Sequence, residues 1–297
     1  MKILLDGAAG FLGRHLDRFL RAKYTMPEHS IYRVVRRYSQ SGLFDFVTDI
    51  KHSTEVKWVL QEYQPDVIIH LAANPRGKPD ENNPLSIFED NVLGTLNLLE
   101  HSPKNCHFIN ASSITVYGDT DRADEFDPPA PTSLYSLSKQ MAEDAVNRYD
   151  RLNKIRATNL RLCALVGPPA GLTHGFIKDL ILKIKSNNPE LPLIGKAPGA
   201  IKPFLHIDDA CNAIYHAVEN KIHGTFNICP DDNISVEDVA KLAMEHYGIQ
   251  KEIIWEDKVW EGDNPFLSAY NTHALECGFT FKHETSYDAI KAALNEF

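Results

Sequence analysis

Short apolar runs alternate with amphipathic segments along the first part of the chain. The apolar runs predict strands at residues 2–6, 31–35, 46–50, 66–70, 106–110 and 157–162. Segments with apolar positions at helical spacing predict helices at residues 14–21, 53–63 and 135–146. Strands that alternate with helices build a parallel sheet that is covered on both faces. The pattern therefore predicts an α/β fold with a doubly wound parallel sheet.

A glycine-rich turn directly follows the first predicted strand. Gly7, Gly10 and Gly13 lie between this strand and the first predicted helix, with Phe11 and Leu12 inside the turn. Such a turn brings backbone N–H groups and a helix N-terminus close to a phosphate, because a Cβ atom would block the approach. The turn predicts a pyrophosphate cradle for a dinucleotide. The alternative is an ordinary tight turn.

Two consecutive arginines end the second predicted strand. In a dinucleotide-binding sheet, an acidic residue at this point binds the ribose 2′-hydroxyl of NAD, whereas a guanidinium binds a 2′-phosphate through two hydrogen bonds. Arg36 and Arg37 therefore favour NADP as the cofactor, with NAD as the alternative. The other interpretation is that both are solvated surface charges.

A tyrosine and a lysine form the candidate acid–base pair. Tyr135 and Lys139 are one turn apart in a predicted helix, so their side chains share a face. A free phenol has a pKa near ~10, and a neighbouring ammonium is expected to favour the phenolate. Ser113 follows the predicted strand 106–110, at the edge of the sheet where ligands bind. These three side chains are predicted to meet at a substrate oxygen.

Composition and charge limit the classes of partner. The 297 residues carry 31 basic and 40 acidic side chains, for a net charge of -9, and 43% of them are hydrophobic. Nucleic-acid binding needs clustered Lys and Arg, so a small-molecule substrate is predicted instead. No apolar run approaches the ~18 residues of a membrane helix. Five scattered cysteines without a Cys-x-x-Cys pair indicate reduced thiols in a cytoplasmic protein.

Three polar residues near position 206 resemble a metal-ligand set. His206, Asp208 and Asp209 lie close together in the sequence. Consecutive acids without a second histidine cluster rarely form a metal site. No metal is therefore predicted.

Further segments complete a resemblance to a known family. Residues 70–73 read His-Leu-Ala-Ala, residues 91–97 read Asn-Val-Leu-Gly-Thr-Leu-Asn, and residues 204–210 read Phe-Leu-His-Ile-Asp-Asp-Ala. Together with the glycine-rich turn and the Tyr-x-x-x-Lys pair, they resemble the extended short-chain dehydrogenase/reductase family. This family contains the NAD-dependent nucleotide-sugar epimerases, dehydratases and ketoreductases. The resemblance covers nearly the whole chain and implies a Rossmann-type sheet with a smaller C-terminal α+β substrate lobe.

The motifs and the resemblance together assign roles to individual residues. The implied catalytic residues are Ser113, Tyr135 and Lys139. The implied cofactor-binding residues are Gly7, Gly10, Phe11, Leu12, Gly13, Arg36, Arg37, Asp49, Ile50, Leu71, Ala72, Ala73, Asn91, Tyr135 and Lys139. The implied substrate-binding residues are Asn74, Ser113, Tyr135 and Lys202.

The resemblance also implies two lobes and a dimer. Residues 1–165, rejoined by about 204–229, would form the dinucleotide-binding domain. Residues 166–203 and 230–297 would form the smaller substrate lobe. Family members commonly dimerise through the helix that bears the tyrosine and the helix that precedes it, so a homodimer is expected.

The chain departs from the family pattern at several positions. Asp6 stands where family members commonly carry a small hydroxyl residue. Ala164 replaces an asparagine, and Lys202 replaces an arginine, at positions that contact the substrate diphosphate. Residues 260–263 read Trp-Glu-Gly-Asp and lack the arginine of the family's Arg-Pro-Gly-Asp segment. These departures leave open a different nucleotide, a differently held sugar or a substrate without a diphosphate.

The predicted function is hydride transfer at a carbinol or keto carbon of a nucleotide-activated sugar, with Tyr135 as acid and base. A 4-ketoreductase and a C4-type epimerase both fit, and the arginine pair slightly favours the reductase. Dehydratases of the family commonly carry Asp-Glu where this chain has Ile114 and Thr115, so dehydration is disfavoured. The alternatives are a non-catalytic NAD(P)-sensing binding protein and a reductase of a non-sugar carbonyl compound.

Overall fold

The computed structural model describes residues 1–24, 30–36, 45–75, 85–169, 175–258 and 264–297. Within these ranges the strands are β1 (Lys2–Leu5), β2 (Ser30–Val35), β3 (Asp45–Val47), β4 (Val67–His70), β5 (Cys106–Ser113), β6 (Thr120–Ala123), β7 (Ile155–Leu162), β8 (Ala164–Val166), β9 (Glu190–Ile194), β10 (Ile201–Lys202), β11 (Phe204–His206), β12 (Gly224–Ile228), β13 (Ile234–Ser235), β14 (Glu252–Glu256) and β15 (Leu267–Ala269). The helices are α1 (Phe11–Lys23), α2 (Ser53–Tyr63), α3 (Ser86–Phe88), α4 (Gly94–His101), α5 (Leu134–Arg151), α6 (Phe176–Ile184), α7 (Ile207–Glu219), α8 (Val236–Tyr247), α9 (Thr272–Glu276) and α10 (Ser286–Asn295).

Seven parallel strands form the central sheet, in the order β12-β7-β5-β4-β1-β2-β3. From β1 the chain first adds β2 and β3 on one side, and then returns to add β4, β5, β7 and β12 on the other. The strand order therefore reverses between β1 and β4. In open sheets of this kind, ligands bind beyond the carboxyl ends of the strands at the reversal point. The predicted doubly wound parallel sheet is confirmed.

Helices cover both faces of the sheet because its central strands are apolar on both faces. In β1, Ile3 and Leu5 pack on the side of α1 and α7. Leu4 faces the opposite side, where it packs with residues of α2, α4 and α5. All three side chains are fully buried. The first strand is thus fixed from both sides, and its carboxyl end lies at a defined place.

The strand that precedes Ser113 is longer than the sequence pattern predicts. The apolar run indicates residues 106–110, but β5 continues to Ser113 and stays in register with β7, with Ser112 opposite Arg161 and Ser113 opposite Leu162. Polar residues interrupt the apolar run although all of β5 is buried. Ser113 therefore belongs to the sheet itself, and the parallel strand pairing fixes the position of its backbone.

A short π-helical segment, Glu89–Leu93, joins α3 to α4. Such a bulge shifts the side chains of one turn relative to an α-helix and is frequent at functional sites. Asn91, a predicted cofactor-binding residue, lies in this segment and is buried.

A second apolar core lies apart from the two that flank the sheet. Helices α6, α8 and α10 contribute most of its buried side chains, together with residues of β9 and β11. These residues belong mainly to the stretches after 166 and after 230. The division of the chain into two lobes, with the boundaries given above, stays a prediction that this core supports.

Candidate active site

A cavity of about 640 Å³ opens at the carboxyl ends of β1, β2 and β4. The predicted cofactor residues that line it are Gly7, Gly10, Arg36, Asp49, Ile50, Leu71, Ala72 and Ala73. Asp6, Val34, Thr48 and Asp90 also line the cavity, although no cofactor contact is predicted for them. Residues that are far apart in the sequence therefore meet around one space, at the point where the strand order reverses.

The glycine-rich turn packs so tightly that side chains are excluded. Gly7 has a φ of +62°, and a Cβ atom there would lie 2.6 Å from the backbone nitrogen of Ala72. A Cβ atom on Gly13 would lie 2.3 Å from the carbonyl oxygen of Gly7. Helix α1 begins after Gly10 with no side-chain cap and no acidic residue in its first turn. Because its first N–H groups then have no side-chain partner, the turn fits a dinucleotide pyrophosphate.

Not every predicted cofactor residue lines this cavity. Phe11, Leu12 and Gly13 form the first turn of α1, and Phe11 faces a second cavity. Arg37 lies outside the described residues, as does the 260–263 segment.

Arg36 lies at the rim of the cavity beside an acid that the sequence analysis did not single out. Its guanidinium is 3.8 Å from a carboxylate oxygen of Asp90, and the side chain is 64% exposed. The ammonium of Lys51 lies 3.3 Å from the same oxygen. In the sequence, Asp90 directly precedes the Asn-Val-x-Gly-Thr segment, and this neighbouring motif could have indicated that Asp90 lies at the site.

The three predicted catalytic side chains come from the end of β5 and the first two turns of α5. Ser133 caps α5, since its hydroxyl accepts a hydrogen bond of 3.1 Å from the backbone N–H of Ser136. Tyr135 and Lys139 follow on one face of this helix. The hydroxyl of Ser113 lies close enough to the phenol of Tyr135 to lower its pKa. The backbone N–H and the hydroxyl of Thr115 both donate to the Ser113 oxygen, which leaves the Ser113 proton available to another acceptor.

The expected stabilisation of the phenolate by Lys139 is wrong for this structure. Burial raises the pKa of Tyr135 to about 12, and the hydrogen bond with Ser113 offsets only part of that shift. Desolvation disfavours the charged form of a group, and Lys139 makes no contribution that opposes it at Tyr135. Tyr135 is therefore a protonated phenol at neutral pH.

Lys139 is a buried amine that makes no hydrogen bond with any described residue. Burial lowers its pKa to about 8, while the carboxylates of Glu143 and Asp6 act in the opposite direction. An amine without a hydrogen-bond partner among the described residues is a donor for a polar group of a bound molecule. The site therefore holds two proton donors, a phenol and an ammonium, at neutral pH.

Asn91 connects the loop after β4 to the catalytic helix. Its side-chain oxygen accepts the backbone N–H of Asn74 at 2.6 Å, and its side-chain nitrogen donates to the Ser138 hydroxyl at 2.8 Å. Ser138 in turn donates to the carbonyl oxygen of Tyr135. The predicted cofactor residue Asn91 and the predicted substrate residue Asn74 are thus held against α5.

Lys202 lies elsewhere, in a second cavity of about 620 Å³. Ala164 and Phe11 line this space too, together with Lys178 and Lys183 from α6. The predicted substrate residues therefore divide between the two cavities, with Asn74 held beside the first and Lys202 in the second.

A metal-like cluster exists, but hydrogen bonds account for it. His206, Asp209 and His283 bring their ligand-type atoms within 4.8 Å of one another. Asp209 accepts the backbone N–H groups of Lys282 and His283 at 2.6 and 3.1 Å, and its carboxylate also meets Nδ1 of His283 at 2.7 Å. The carboxylate thus has partners without a metal. His283 could not be predicted as a member of this cluster from local motifs, because it is remote from His206 along the chain.

Residues 3–229, more than half of the chain, match the model of the NAD dependent epimerase/dehydratase family. The chain belongs to this family. The resemblance stated from the sequence motifs is confirmed, and the family is one of enzymes. Among the helices of the described ranges, none combines the length and apolar character needed to cross a bilayer.

Relatives of this family member span several reactions. The dTDP-glucose 4,6-dehydratase of Salmonella typhimurium is 29% identical over 261 residues, which are 77% of this chain and 72% of that protein. The UDP-glucose 4-epimerase of Thermus thermophilus, solved with NAD, has a TM-score of 0.85 at 22% identity and covers 100% of this chain and 98% of its own. The dTDP-4-dehydrorhamnose reductase of Bacillus anthracis, solved with NADP, has a TM-score of 0.82 at 19% identity with the same coverage. At these identities the two structures show a shared fold.

The lowered pKa of Lys139 predicts a specific dependence of stability on pH. Between about pH 8 and the ordinary lysine pKa of ~10.4, the unfolded chain binds this proton and the folded chain does not, so the free energy of unfolding rises with pH. Relative to a Lys139→Met variant, the wild type should gain about 1.4 kcal/mol per pH unit in this range. Urea unfolding at pH 7 to 10 measures the difference. An exposed control, Lys154→Met, should show no such trend, and a flat difference for Lys139→Met would contradict the assignment.

Proposed function

We propose that this enzyme transfers hydride at a carbinol or keto carbon of a nucleotide-activated sugar, with an NAD(P) cofactor. The observation that carries the proposal is the pairing of Ser113, at the end of β5, with Tyr135, one turn before Lys139 on α5, in a chain whose glycine turn after β1 suits a pyrophosphate. The lysine side chains of the second cavity, Lys178, Lys183 and Lys202, support an anionic substrate such as a sugar diphosphate.

The protonation state of the site supports the 4-ketoreductase as the first candidate. A nicotinamide dinucleotide supplies the hydride when it is bound. The phenol of Tyr135 then gives its proton to the keto oxygen, while the hydroxyl of Ser113 donates a hydrogen bond to the same oxygen. A raised pKa keeps the phenol protonated before the reaction, as a general acid requires. An oxidation would instead need the phenolate at the start.

A C4-type epimerase is the second candidate. The match to a UDP-glucose 4-epimerase fold over the whole chain supports it. Asp90 at the rim of the cavity supports it as well, because a carboxylate there suits the free ribose hydroxyl of NAD. An epimerase returns the hydride to the other face of the same intermediate, so it consumes no cofactor.

Incubation with NADPH and a panel of nucleotide sugars and their 4-keto forms separates the candidates. Stoichiometric oxidation of NADPH identifies a reductase, and isomerisation without net oxidation identifies an epimerase. A Tyr135→Phe variant should lose about 10²–10⁴-fold in turnover because the acid/base is removed, while dinucleotide binding, measured by calorimetry, is retained. Tyr149→Phe, on the same helix, should keep full activity. Full turnover by Tyr135→Phe would refute the catalytic role and favour a non-catalytic NAD(P)-sensing protein.

NADP is the proposed cofactor, and Arg36 is the residue that selects it. The guanidinium is at the carboxyl end of β2, on the wall of the cavity, where a 2′-phosphate would lie. The carboxylate of Asp90 is 3.8 Å from this guanidinium, and the Arg36 side chain stays mostly exposed to an incoming anion.

An Arg36→Ala variant should bind NADPH at least about tenfold more weakly, since a charge-assisted hydrogen bond is worth roughly 1.5–3 kcal/mol. Binding of NADH should change little. Titration of both reduced cofactors by fluorescence measures the ratio. Arg21→Ala, whose guanidinium pairs with Asp17 on α1, serves as the control. Equal losses for NADPH and NADH would contradict selection by Arg36.

A homodimer through α4 and α5 is also proposed, together with a cytoplasmic location that the five free cysteines support. The two helices pack side by side. Leu93 and Leu96 next to α5, and Leu137 and Met141 on it, are between 37% and 44% exposed. Four large apolar side chains on neighbouring helices form a surface suited to a second copy of the chain.

Sedimentation velocity should therefore report twice the mass of one chain. A double variant, Leu96→Glu with Met141→Glu, should shift the protein to the monomer because it places charges in an apolar contact. Leu182→Glu changes a more exposed leucine on α6 and should leave the mass unchanged. A wild-type monomer at micromolar concentration would overturn the dimer.

A further inference from the structure

Four charged side chains, all within the described residues, meet at the rim of the cavity that opens beyond β1, β2 and β4. Oδ1 of Asp90 lies 3.3 Å from the ammonium of Lys51 and 3.8 Å from the guanidinium of Arg36. The same ammonium lies 3.8 Å from Oδ2 of Asp49. Arg36, Asp49 and Asp90 line the cavity itself. The two acids and two cations thus form one connected cluster, with Asp90 between Arg36 and Lys51.

Helix α4 and the π-helical segment before it fix the backbone around this cluster. The side-chain nitrogen of Asn97 donates to the carbonyl oxygens of Ile50 and Lys51, both at 2.9 Å. Gly94 lies so close to Ile50 that a Cβ atom there would be 2.6 Å from Cδ1 of that side chain. Asp90 lies on the π-helical segment that leads directly into α4. The same helical unit therefore positions Asp90 and the backbone of Lys51.

Burial differs between the two ion pairs of Asp90. The Asp90 and Lys51 side chains are 19% and 28% exposed, whereas the Arg36 side chain is 64% exposed. Water screens an exposed pair more strongly, and the pair with Arg36 is also the longer one, so it is the weaker of the two. Lys51 is therefore the principal partner of Asp90, and Arg36 is the partner that can leave.

A 2′-phosphate would compete with Asp90 for Arg36. A guanidinium binds carboxylates and phosphates through the same donors, so a contact with one of these anions takes the donors from the other. NAD carries a hydroxyl in place of this phosphate and has no need of the cation. The carboxylate of Asp90 therefore lowers the affinity for NADP and not that for NAD. Lys51 opposes this effect, because a carboxylate that already pairs with an ammonium attracts Arg36 less.

We propose that Asp90 is a specificity-determining residue that competes with the 2′-phosphate of NADP for Arg36, and that Lys51 sets the strength of this competition. Asp90 limits the preference for NADP that Arg36 creates, so the site accepts both dinucleotides. Lys51 is not among the residues that line the cavity, and it acts on the cofactor through Asp90. The inference rests on the proposed function only for the binding of a nicotinamide dinucleotide, and not for the reaction.

Fluorescence titration of the full chain with NADPH and with NADH, in the absence of substrate, tests the competition. Asp90→Asn should raise the ratio of the NADH to the NADPH dissociation constant by about two- to fivefold, the range for release of an exposed ion pair. Glu89→Gln removes the same charge from the preceding residue, which does not line the cavity, and should leave the ratio unchanged. An unchanged ratio in Asp90→Asn would overturn the proposal. A wild type that binds neither dinucleotide would overturn the proposed function, and this inference with it.

An Arg36→Ala background separates competition from simple repulsion of the phosphate. Without Arg36 there is no cation for Asp90 to withhold, so the effect of Asp90→Asn on the ratio should largely disappear. Repulsion between Asp90 and the phosphate does not depend on Arg36. Equal effects of Asp90→Asn in the wild-type and Arg36→Ala backgrounds would therefore contradict the competition.

A second double-mutant cycle tests the role of Lys51. In the wild type, Lys51→Met should weaken NADPH binding about two- to fivefold, because Asp90 without Lys51 holds Arg36 more strongly. In the Asp90→Asn background, Lys51→Met should have no effect on NADPH binding, because the carboxylate that Lys51 neutralises is absent. Lys57→Met removes an exposed charge from α2 and serves as the control in both backgrounds. An equal loss from Lys51→Met in both backgrounds would mean that Lys51 binds the phosphate itself, which would overturn its action through Asp90.

Discussion

One buried carboxylate joins the two strand ends between which the sheet reverses its order. Asp6 follows β1, and it binds the backbone N–H groups that follow β4. Past the end of a strand these groups have no ladder partner, and leaving them unpaired in the interior would be costly. The contact also brings Ala72 against Gly7, where a side chain would not fit. The shape of the cofactor cavity therefore depends on a charged residue at a position where the family commonly has a neutral hydroxyl.

The same burial that shapes the cavity sets the proton content of the site. Desolvation raises the pKa of Tyr135 and lowers that of Lys139, so it favours the neutral form of both. The carboxylates of Asp6 and Glu143 oppose the shift at Lys139 alone. The result is a phenol that keeps its proton and an amine whose pKa stays just above neutral pH. Both side chains therefore carry a proton at neutral pH.

Local motifs predicted the residues that line the cofactor cavity, but contacts between residues that are distant in the sequence could not be predicted from them. The glycine turn and the end of β2 are each specified by a few adjacent residues, and the sheet brings them together around one cavity as the strand pattern implies. The Asp6–His70 contact joins residues 64 positions apart, and no periodic pattern encodes it. The prediction that the pKa of Tyr135 is lowered was wrong for a related reason. A sequence shows which charges are neighbours, but the extent of burial, which decided the sign here, follows only from packing.

The ion pair between Arg36 and Asp90 at the rim of the cavity is weak enough to be exchanged for a contact with a cofactor phosphate. Arg36 and Asp90 are 3.8 Å apart at an exposed position, and exposed pairs of this kind contribute about 0–1 kcal/mol. A charge-assisted hydrogen bond from a guanidinium to a phosphate is worth roughly 1.5–3 kcal/mol. The guanidinium can therefore exchange its contact with Asp90 for a 2′-phosphate at a net gain. Lys51, 3.3 Å from Asp90, remains to neutralise the carboxylate after that exchange. Asp90 is thus compatible with a 2′-phosphate in the cavity, because Lys51 still neutralises its carboxylate when Arg36 binds the phosphate.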